Sequence, residues 1–175
     1  MSQLLLDSRQ MGRTIDRMAH EIAERNPSGE EVTLIGVQRG GYHLIRRLTP
    51  VLERLWNRPV PFGEIDVAMH RDDLESRGTL VMHPTRIPFN IDGKTVVLVD
   101  DVLLTGRTTR AALDALNDYG RPRAVQLAVL VDRGHRELPI QADFTGVSQK
   151  TTPDERVDVQ WQEEGREDRV VLENL

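Results

Sequence analysis

The sequence holds no cysteine, which removes disulfides, thiolate zinc sites and a cysteine nucleophile. Aromatic residues make up only 4% of the chain, so its core must rest on Leu, Val, Ile and Ala. No apolar run approaches the roughly 18 residues that a membrane-spanning helix needs. Met1 to Asp7 has no basic segment, and its apolar stretch is too short for a secretory signal. A cytoplasmic location without a membrane partner is the resulting expectation. The net charge is −5, so any nucleic-acid binding would need a local basic face. His20, His43, His70, His83 and His135 lack the spacing of a metal site. What is present is 38% hydrophobic and 29% charged, a globular composition. At 175 residues the chain is expected to form a single domain over 1–175. A chain of that length buries roughly 70% of its unfolded surface, enough for a substantial core.

Apolar periodicity lays out the elements. Met11, Ile15, Met18, Ala19 and Ile22 predict a helix over 8–26, with Asp7 and Gln10 as a capping box and Asn26-Pro27 as its end. Val32 to Val37 reads as a short buried strand, followed by the turn Gln38-Arg39-Gly40-Gly41. A helix with Leu44, Ile45, Leu48, Val51, Leu52, Leu55 and Trp56 on one face comes next, and Pro50 predicts a kink near Thr49. Gly63 to His70 alternates as a half-buried strand. Thr95 to Val99 is a buried strand ending at Asp100-Asp101. A helix follows from about Arg107, with Ala112, Leu113, Leu116 and Tyr119 inward, closed by Gly120 and Pro122. Ala124 to Val131, Arg156 to Trp161 and Arg169 to Leu172 complete the strands. Regions 69–90 and 132–155 interrupt the pattern, between apolar segments expected to share one sheet. Strands alternating with helices imply an α/β fold with a mostly parallel sheet.

Val96 to Thr109 (VVLVDDVLLTGRTT) carries the chemistry. A buried parallel strand delivers two carboxylates at its C-terminal end, where open α/β sheets place ligands. Thr105, Gly106, Arg107 and Thr108 then open a helix. Hydroxyls, backbone N–H groups and the positive helix end together make an anion site. Asp100 and Asp101 would accept hydrogen bonds from hydroxyls or meet a metal ion, so a ribose phosphate answers both demands. A P-loop and a dinucleotide-binding glycine motif are absent. A phosphoacceptor receiver domain would carry its acidic pair after the first strand, and too little chain follows Asp101 for the rest of one. The bland alternative is that the two aspartates open a solvated loop.

Val96 to Thr108 closely resembles the phosphoribosyl pyrophosphate (PRPP) motif of type I phosphoribosyltransferases. More narrowly, the chain resembles the pyrimidine operon regulator family, which also has uracil phosphoribosyltransferase activity. The matching stretches are Met18-Ala19-His20-Glu21, Arg71-Asp72-Asp73-Leu74, Arg86-Ile87-Pro88-Phe89, Val96 to Leu116, and Leu127 to Ile140 with its VDRGHRELPI. They span nearly the whole chain. The resemblance implies the type I phosphoribosyltransferase fold, its central sheet flanked by helices, with a flexible lid loop over 69–90. It also implies that uracil and PRPP are converted to uridine monophosphate (UMP) and pyrophosphate, with Mg2+ carried by PRPP rather than held directly.

Residue by residue, the resemblance gives Asp100 and Asp101 the catalytic place beside the ribose hydroxyls. Val102, Leu103 and Leu104 continue into Thr105, Gly106, Arg107 and Thr108, which would hold the 5′-phosphate. Arg39 and Gly40 would form the pyrophosphate loop, although the family more often has Thr-Arg-Gly there. Arg71 would reach pyrophosphate from the lid, while Arg133 and Val157 would lie near the nucleotide. Val157 reads equally as core, and the bland reading of Arg39, the lesser of its two, is a surface arginine. The family also binds pyrimidine operon mRNA and assembles as dimers or larger homo-oligomers. Arg13, Arg17 and His20 form a modest basic stripe that Arg25, Arg133 and Arg136 could extend. Asp16, Gln141 and Val147 depart from the usual threonine, arginine and lysine; if these positions face RNA, each change should lower phosphate affinity. A non-catalytic nucleotide sensor that binds RNA, and a phosphoribosyltransferase for another base, remain as alternatives.

Overall fold

The computed structural model describes residues 2–72 and 82–175. In chain order the elements are β1 (Ser2–Leu6), α1 (Ser8–Arg25), β2 (Val32–Val37), α2 (Gly40–Trp56), β3 (Phe62–Ile65), β4 (Thr95–Leu103), α3 (Arg107–Leu116), β5 (Ala124–Asp132), β6 (Phe144–Ser148), β7 (Glu155–Gln160) and β8 (Arg169–Asn174). Single 3-10 turns follow β3, at Ala68–His70, and β7, at Gln162–Glu164.

The central sheet has five parallel strands in the order β3-β2-β4-β5-β6. Its β-branched and leucine-rich strands are buried on both faces and alternate with period two. Leu34, Val97, Val99, Ala128 and Leu130 pack with α1 and α2. Ile35, Val37, Val96, Leu98, Leu127 and Val129 pack with α3 on the other face. Each fully buried Leu, Ile or Val contributes about 1.5–3 kcal/mol of transfer free energy. Both faces need covering, and a helix–sheet–helix sandwich is the result.

The termini build a second sheet. The strands expected over 156–161 and 169–172 do not join the central sheet; β7 and β8 pair antiparallel, and β1 adds to β8. The expectation of one sheet is therefore corrected to two. β1 and β6 carry no strong periodicity, and the second lies within the stretch read as irregular. The strand predicted over 63–70 is shorter, because Val67 to His70 turns tightly after Ile65. β4 does not stop at Asp100 but runs on to Leu103, paired with β5. Tyr119, expected inward, lies beyond the end of α3 and is exposed.

The helix ends follow their sequence signals. Asp7 Oδ1 accepts from the Gln10 N–H at 2.7 Å, and Gln10 Oε1 accepts from the Asp7 N–H at 2.9 Å, closing the capping box around α1. α2 continues through Pro50 as one helix. Pro50 and Arg46, whose carbonyl the proline leaves without its helical donor, are both exposed, so water can satisfy that oxygen. The lid expected over 69–90 falls, at 73–81, outside the described residues. On its C-terminal side, Arg86 exchanges backbone hydrogen bonds with Glu64 at 2.9 Å each way, covering the outer edge of β3.

Candidate active site

The strand order fixes where a ligand can sit. β2 and β3 run to one side of β4, β5 and β6 to the other, so the connections diverge between β2 and β4. A crevice opens outside the carboxyl ends of strands at such a point. Close backbone approach shapes it. A Cβ on Gly41 would stand 2.1 Å from the Val99 carbonyl oxygen, so only glycine lets α2 start directly over β4. A Cβ on Gly40 would stand 2.0 Å from Asp101 Oδ2, so the turn after β2 rests on the acidic pair. The Gln38–Arg39 peptide in this turn is cis.

Asp100 and Asp101 lie in the C-terminal half of β4, Asp100 buried and Asp101 half-buried. The Asp101 N–H donates to Asp100 Oδ1 at 2.9 Å, and the Val102 N–H to Asp101 Oδ1 at 2.8 Å. Burial, and then the neighbouring charge of Asp101, push the Asp100 carboxyl well above the ordinary carboxylate range, with the charge of Arg71 offsetting part of this. Asp101 is raised as well, chiefly by burial, with the charge of Glu164 adding to it. Two desolvated carboxylates side by side are a costly arrangement that a hydroxyl-bearing or cationic ligand would relieve.

The anion end of the crevice is built by Leu104 to Thr108. Gly106 takes φ +92, a left-handed conformation that suits glycine, and turns the chain into α3. Gly106, at the N-cap, has no side chain to bond the first helix N–H groups. Thr105 Oγ1 accepts from the Arg107 N–H at 3.2 Å, and Arg71 Nη1 donates to Thr108 Oγ1 at 2.8 Å. Arg107 itself is held by Glu137 at 2.7 Å and Asp72 at 2.8 Å. Hydroxyls, helix N–H groups and guanidinium therefore converge on one place, as phosphate recognition requires.

A cleft of about 970 Å³ joins these parts. Asp100, Asp101, Val102, Leu103, Leu104, Thr105, Gly106, Arg107, Thr108, Arg71, Arg133 and Val157 all line it. Val157 also belongs to the apolar core, so both of its readings hold together. Arg39 and Gly40 are not among the lining residues. Arg39 turns instead to Glu164, at 3.2 Å, while Gln38 faces the cleft and donates to Glu64. Arg133 spends its guanidinium on the 151–155 loop, with Nε donating to Thr151 Oγ1 at 3.0 Å and Nη2 to the Glu155 carbonyl at 2.5 Å. His135, Asp158 and Glu155 line the cleft and were missed in the sequence. His135, in a left-handed conformation at φ +59, hydrogen-bonds the Thr151 carbonyl oxygen at 2.6 Å. Asp158, with Arg166 at 2.9 Å, alternates between Val157 and Val159, which was the one signal available for it. No group of three or more His, Asp or Glu suited to a metal ion occurs among the described residues.

Residues 2–164 match the family model of the phosphoribosyl transferase domain. The "Bifunctional protein PyrR" of Roseiflexus sp. (strain RS-1) is 56% identical over 154 residues, covering 87% of this chain and 84% of the relative. That of Streptomyces coelicolor is 52% identical over 169 residues, covering 96% and 88%. This chain belongs to the PyrR family of phosphoribosyl transferase domain proteins. Its fold is shared with the hypoxanthine phosphoribosyltransferase of Trypanosoma cruzi, with a TM-score of 0.74 at 21% identity over 98% of this chain and 96% of that one.

Within this PyrR family member, the basic stripe on α1 is partly committed elsewhere. Arg17 bonds Glu21 at 2.6 Å and the Gly146 carbonyl oxygen of β6. His20 Nδ1 lies 2.8 Å from the Asp16 carbonyl oxygen, and Arg25 lies 3.6 Å from Asp143. Arg17, His20 and Arg25 all remain exposed. Arg133 and Arg136 do not extend the stripe as free cations. Arg136 bonds Asp132 at 2.5 Å and the Leu104 and Ile140 carbonyl oxygens at 2.8 Å each, bracing the phosphate loop from behind. No helix among the described residues is long and apolar enough to cross a membrane.

Proposed function

We propose that the cleft joins uracil to PRPP, giving UMP and pyrophosphate, and that the same chain regulates pyrimidine genes by binding mRNA. The observation that carries the catalytic reading is the buried Asp100 with its half-buried neighbour Asp101, which open onto the same cleft as the start of α3. In the reaction the uracil N1 electron pair forms a bond to ribose C1′. The C1′–O bond to pyrophosphate breaks, its electrons leave with pyrophosphate, and uracil gives up the N1 proton. Positive charge develops on the ribose ring during this exchange.

Asp100 and Asp101 accept from the ribose hydroxyls and hold negative charge beside that developing cation. Leu104, Thr105, Gly106, Arg107 and Thr108 anchor the 5′-phosphate, with Arg71 tying the lid's N-terminal stem to Thr108. Such anchoring fixes the sugar for in-line attack, the positional part of the rate gain. Arg39 and Gly40 belong to the pyrophosphate end, and Arg133 and Val157 to the nucleotide wall. The donor set suits magnesium that enters with PRPP. Two carboxylates are available and no larger cage is present among the described residues, and magnesium characteristically binds one or two carboxylates with substrate phosphates and water. When bound it would neutralise the leaving pyrophosphate.

The regulatory half rests on membership of a family whose members are called bifunctional, and on Arg17, His20 and Arg25 standing exposed along α1. Assembly into a homo-oligomer and a cytoplasmic location accompany this reading. The test is UMP formation from uracil, PRPP and magnesium, with Asp101→Asn as the control. Turnover lost in the variant supports the reading. A wild-type chain that consumes PRPP only with another base would overturn the choice of uracil. One that binds UMP without turnover would leave a nucleotide sensor.

A further inference from the structure

The arginine expected to meet pyrophosphate is occupied by a residue of this chain. Arg39 Nη2 lies 3.2 Å from Glu164 Oε1, and His43 Nε2 lies 3.1 Å from the same oxygen. The other ring nitrogen, His43 Nδ1, is buried without a partner. The proton therefore belongs on Nε2, which donates to Glu164, since a stranded N–H would cost more than a stranded lone pair. Arg39 and His43 stand at the N-terminal end of α2, which no side chain caps. One carboxylate oxygen thus gathers a guanidinium, an imidazole donor and the vicinity of a positive helix end. These are features that a pyrophosphate group would use.

Glu164 stands on a braced turn and Arg39 on an exposed one. The 3-10 turn carrying Glu164 is gripped by Arg47, which bonds Glu163 at 2.7 Å and Asp168 at 2.7 and 2.8 Å. The same guanidinium lies 4.9 Å over the ring of Trp161, a fully buried side chain. The Arg39 side chain, by contrast, is 56% exposed, and the residue lies within the turn after β2. The charge of Glu164 also reaches the floor of the cleft, where it adds to the upward push on Asp101.

We infer that Glu164 is a positioning residue that holds Arg39 at the rim of the cleft and gives it up to pyrophosphate when ligand binds. This rests on the reading of the cleft as a PRPP site and deepens it. An incoming pyrophosphate group must take Arg39 from a carboxylate that also repels it. When pyrophosphate is the product, recapture of Arg39 by Glu164 speeds its departure. Glu164 therefore sets affinity at the pyrophosphate end and leaves the base end alone.

The test is calorimetric titration of the full chain with inorganic pyrophosphate and magnesium. Wild type is compared with Glu164→Gln, Arg39→Ala and the double variant. Glu164→Gln is expected to tighten pyrophosphate binding by about three- to tenfold, the scale of one partly screened charge at these distances. The KM for PRPP and the inhibition constant of pyrophosphate should fall together, while the KM for uracil stays put. A merely structural role would move all three. In the Arg39→Ala background the gain should largely disappear. Glu164→Asp, which keeps the charge but withdraws it by one methylene, should give part of the gain and guards against a misfolded glutamine variant. Unchanged or weaker pyrophosphate binding in Glu164→Gln would overturn the inference, as would a full gain without Arg39. A wild type that binds pyrophosphate but does not use uracil counts against the proposed reaction alone. One that binds no pyrophosphate overturns both.

Discussion

Asp100 and Asp101 on one side, and Glu163 and Asp168 on the other, are carboxylate pairs that the molecule treats in opposite ways. The first pair lies side by side at the floor of the cleft, and burial and the neighbouring charge of Asp101 raise the Asp100 carboxyl. The second pair surrounds Arg47. Hydrogen bonds from that guanidinium hold Asp168 below the ordinary range, and they bring Glu163 below it too, against the opposing effect of burial. Glu163 and Asp168 have their counter-charge within the chain and use it to fasten the 3-10 turn after β7 onto α2. Asp100 and Asp101 sit at a price in stability that a ligand can return. A functional site is recognisable here by charges that the fold leaves for something else to satisfy.

The largest expected effect is on the unsatisfied pair. Asp101→Asn should lower UMP formation on the order of a hundredfold or more, as loss of a preorganised charge does, with the urea midpoint unchanged or raised. Steady-state rates and unfolding curves check this together.

Arg47→Ala would turn the satisfied pair into an unsatisfied one. It leaves Glu163 and Asp168 facing each other and removes the contact with Trp161, so it should cost about 2 kcal/mol, between exposed and buried ion pairs. Because the folded-state values of both acids are lowered, the clasp's contribution is present above about pH 4 and is lost as pH falls through those lowered values. Urea unfolding at pH 7 and pH 3 should therefore show the gap between wild type and Arg47→Ala shrinking in acid.

Gly106→Ala probes the backbone beside the acids rather than their charge. Its φ of +92 and a Cβ only 3.0 Å from Ile140 Cγ1 should cost about 1 kcal/mol in urea unfolding and weaken binding of inorganic phosphate in a calorimetric titration.

The smallest effect has the opposite sign. Asp100→Asn should stabilise the ligand-free protein by about 0.5–1 kcal/mol at pH 7, because it removes a buried, repelled charge. Asp100 has a raised folded-state value, so the wild type regains this deficit as pH falls through it, and the deficit is gone below the unfolded value of about 4. The advantage of the variant should vanish there.

The acidic pair and phosphate loop were legible in the sequence because their chemistry is contiguous, from Val96 to Thr109, and the strand and helix that present them have strong periods. The capping box at Asp7 and Gln10 and the core faces of α1 and α2 were legible for the same reason, except that Leu55, expected on the α2 face, lies exposed near the helix end. The clasp was not, since Arg47 meets Glu163 and Asp168 across 116 and 121 residues. Arg39 was read by its neighbours in sequence, and no local signal announces Glu164. β1 and β6 are short edge strands, with too few residues buried on one face to set a period. β7 and β8 were found as strands but assigned to the wrong sheet, because alternation specifies a face and not a partner. Arg133 and Arg136 carry the charge of a binding face, yet both are turned inward onto backbone carbonyl oxygens, a demand set by tertiary packing.

The most direct measurement is urea unfolding of wild type and Asp100→Asn at pH 7, each with and without PRPP and magnesium. The expected result is a crossing. Without ligand the variant is the more stable, and with ligand the wild type is, because only it recovers the cost of its paired acids on binding. The same order in both conditions would contradict the claim that Asp100 and Asp101 are kept unsatisfied for this ligand.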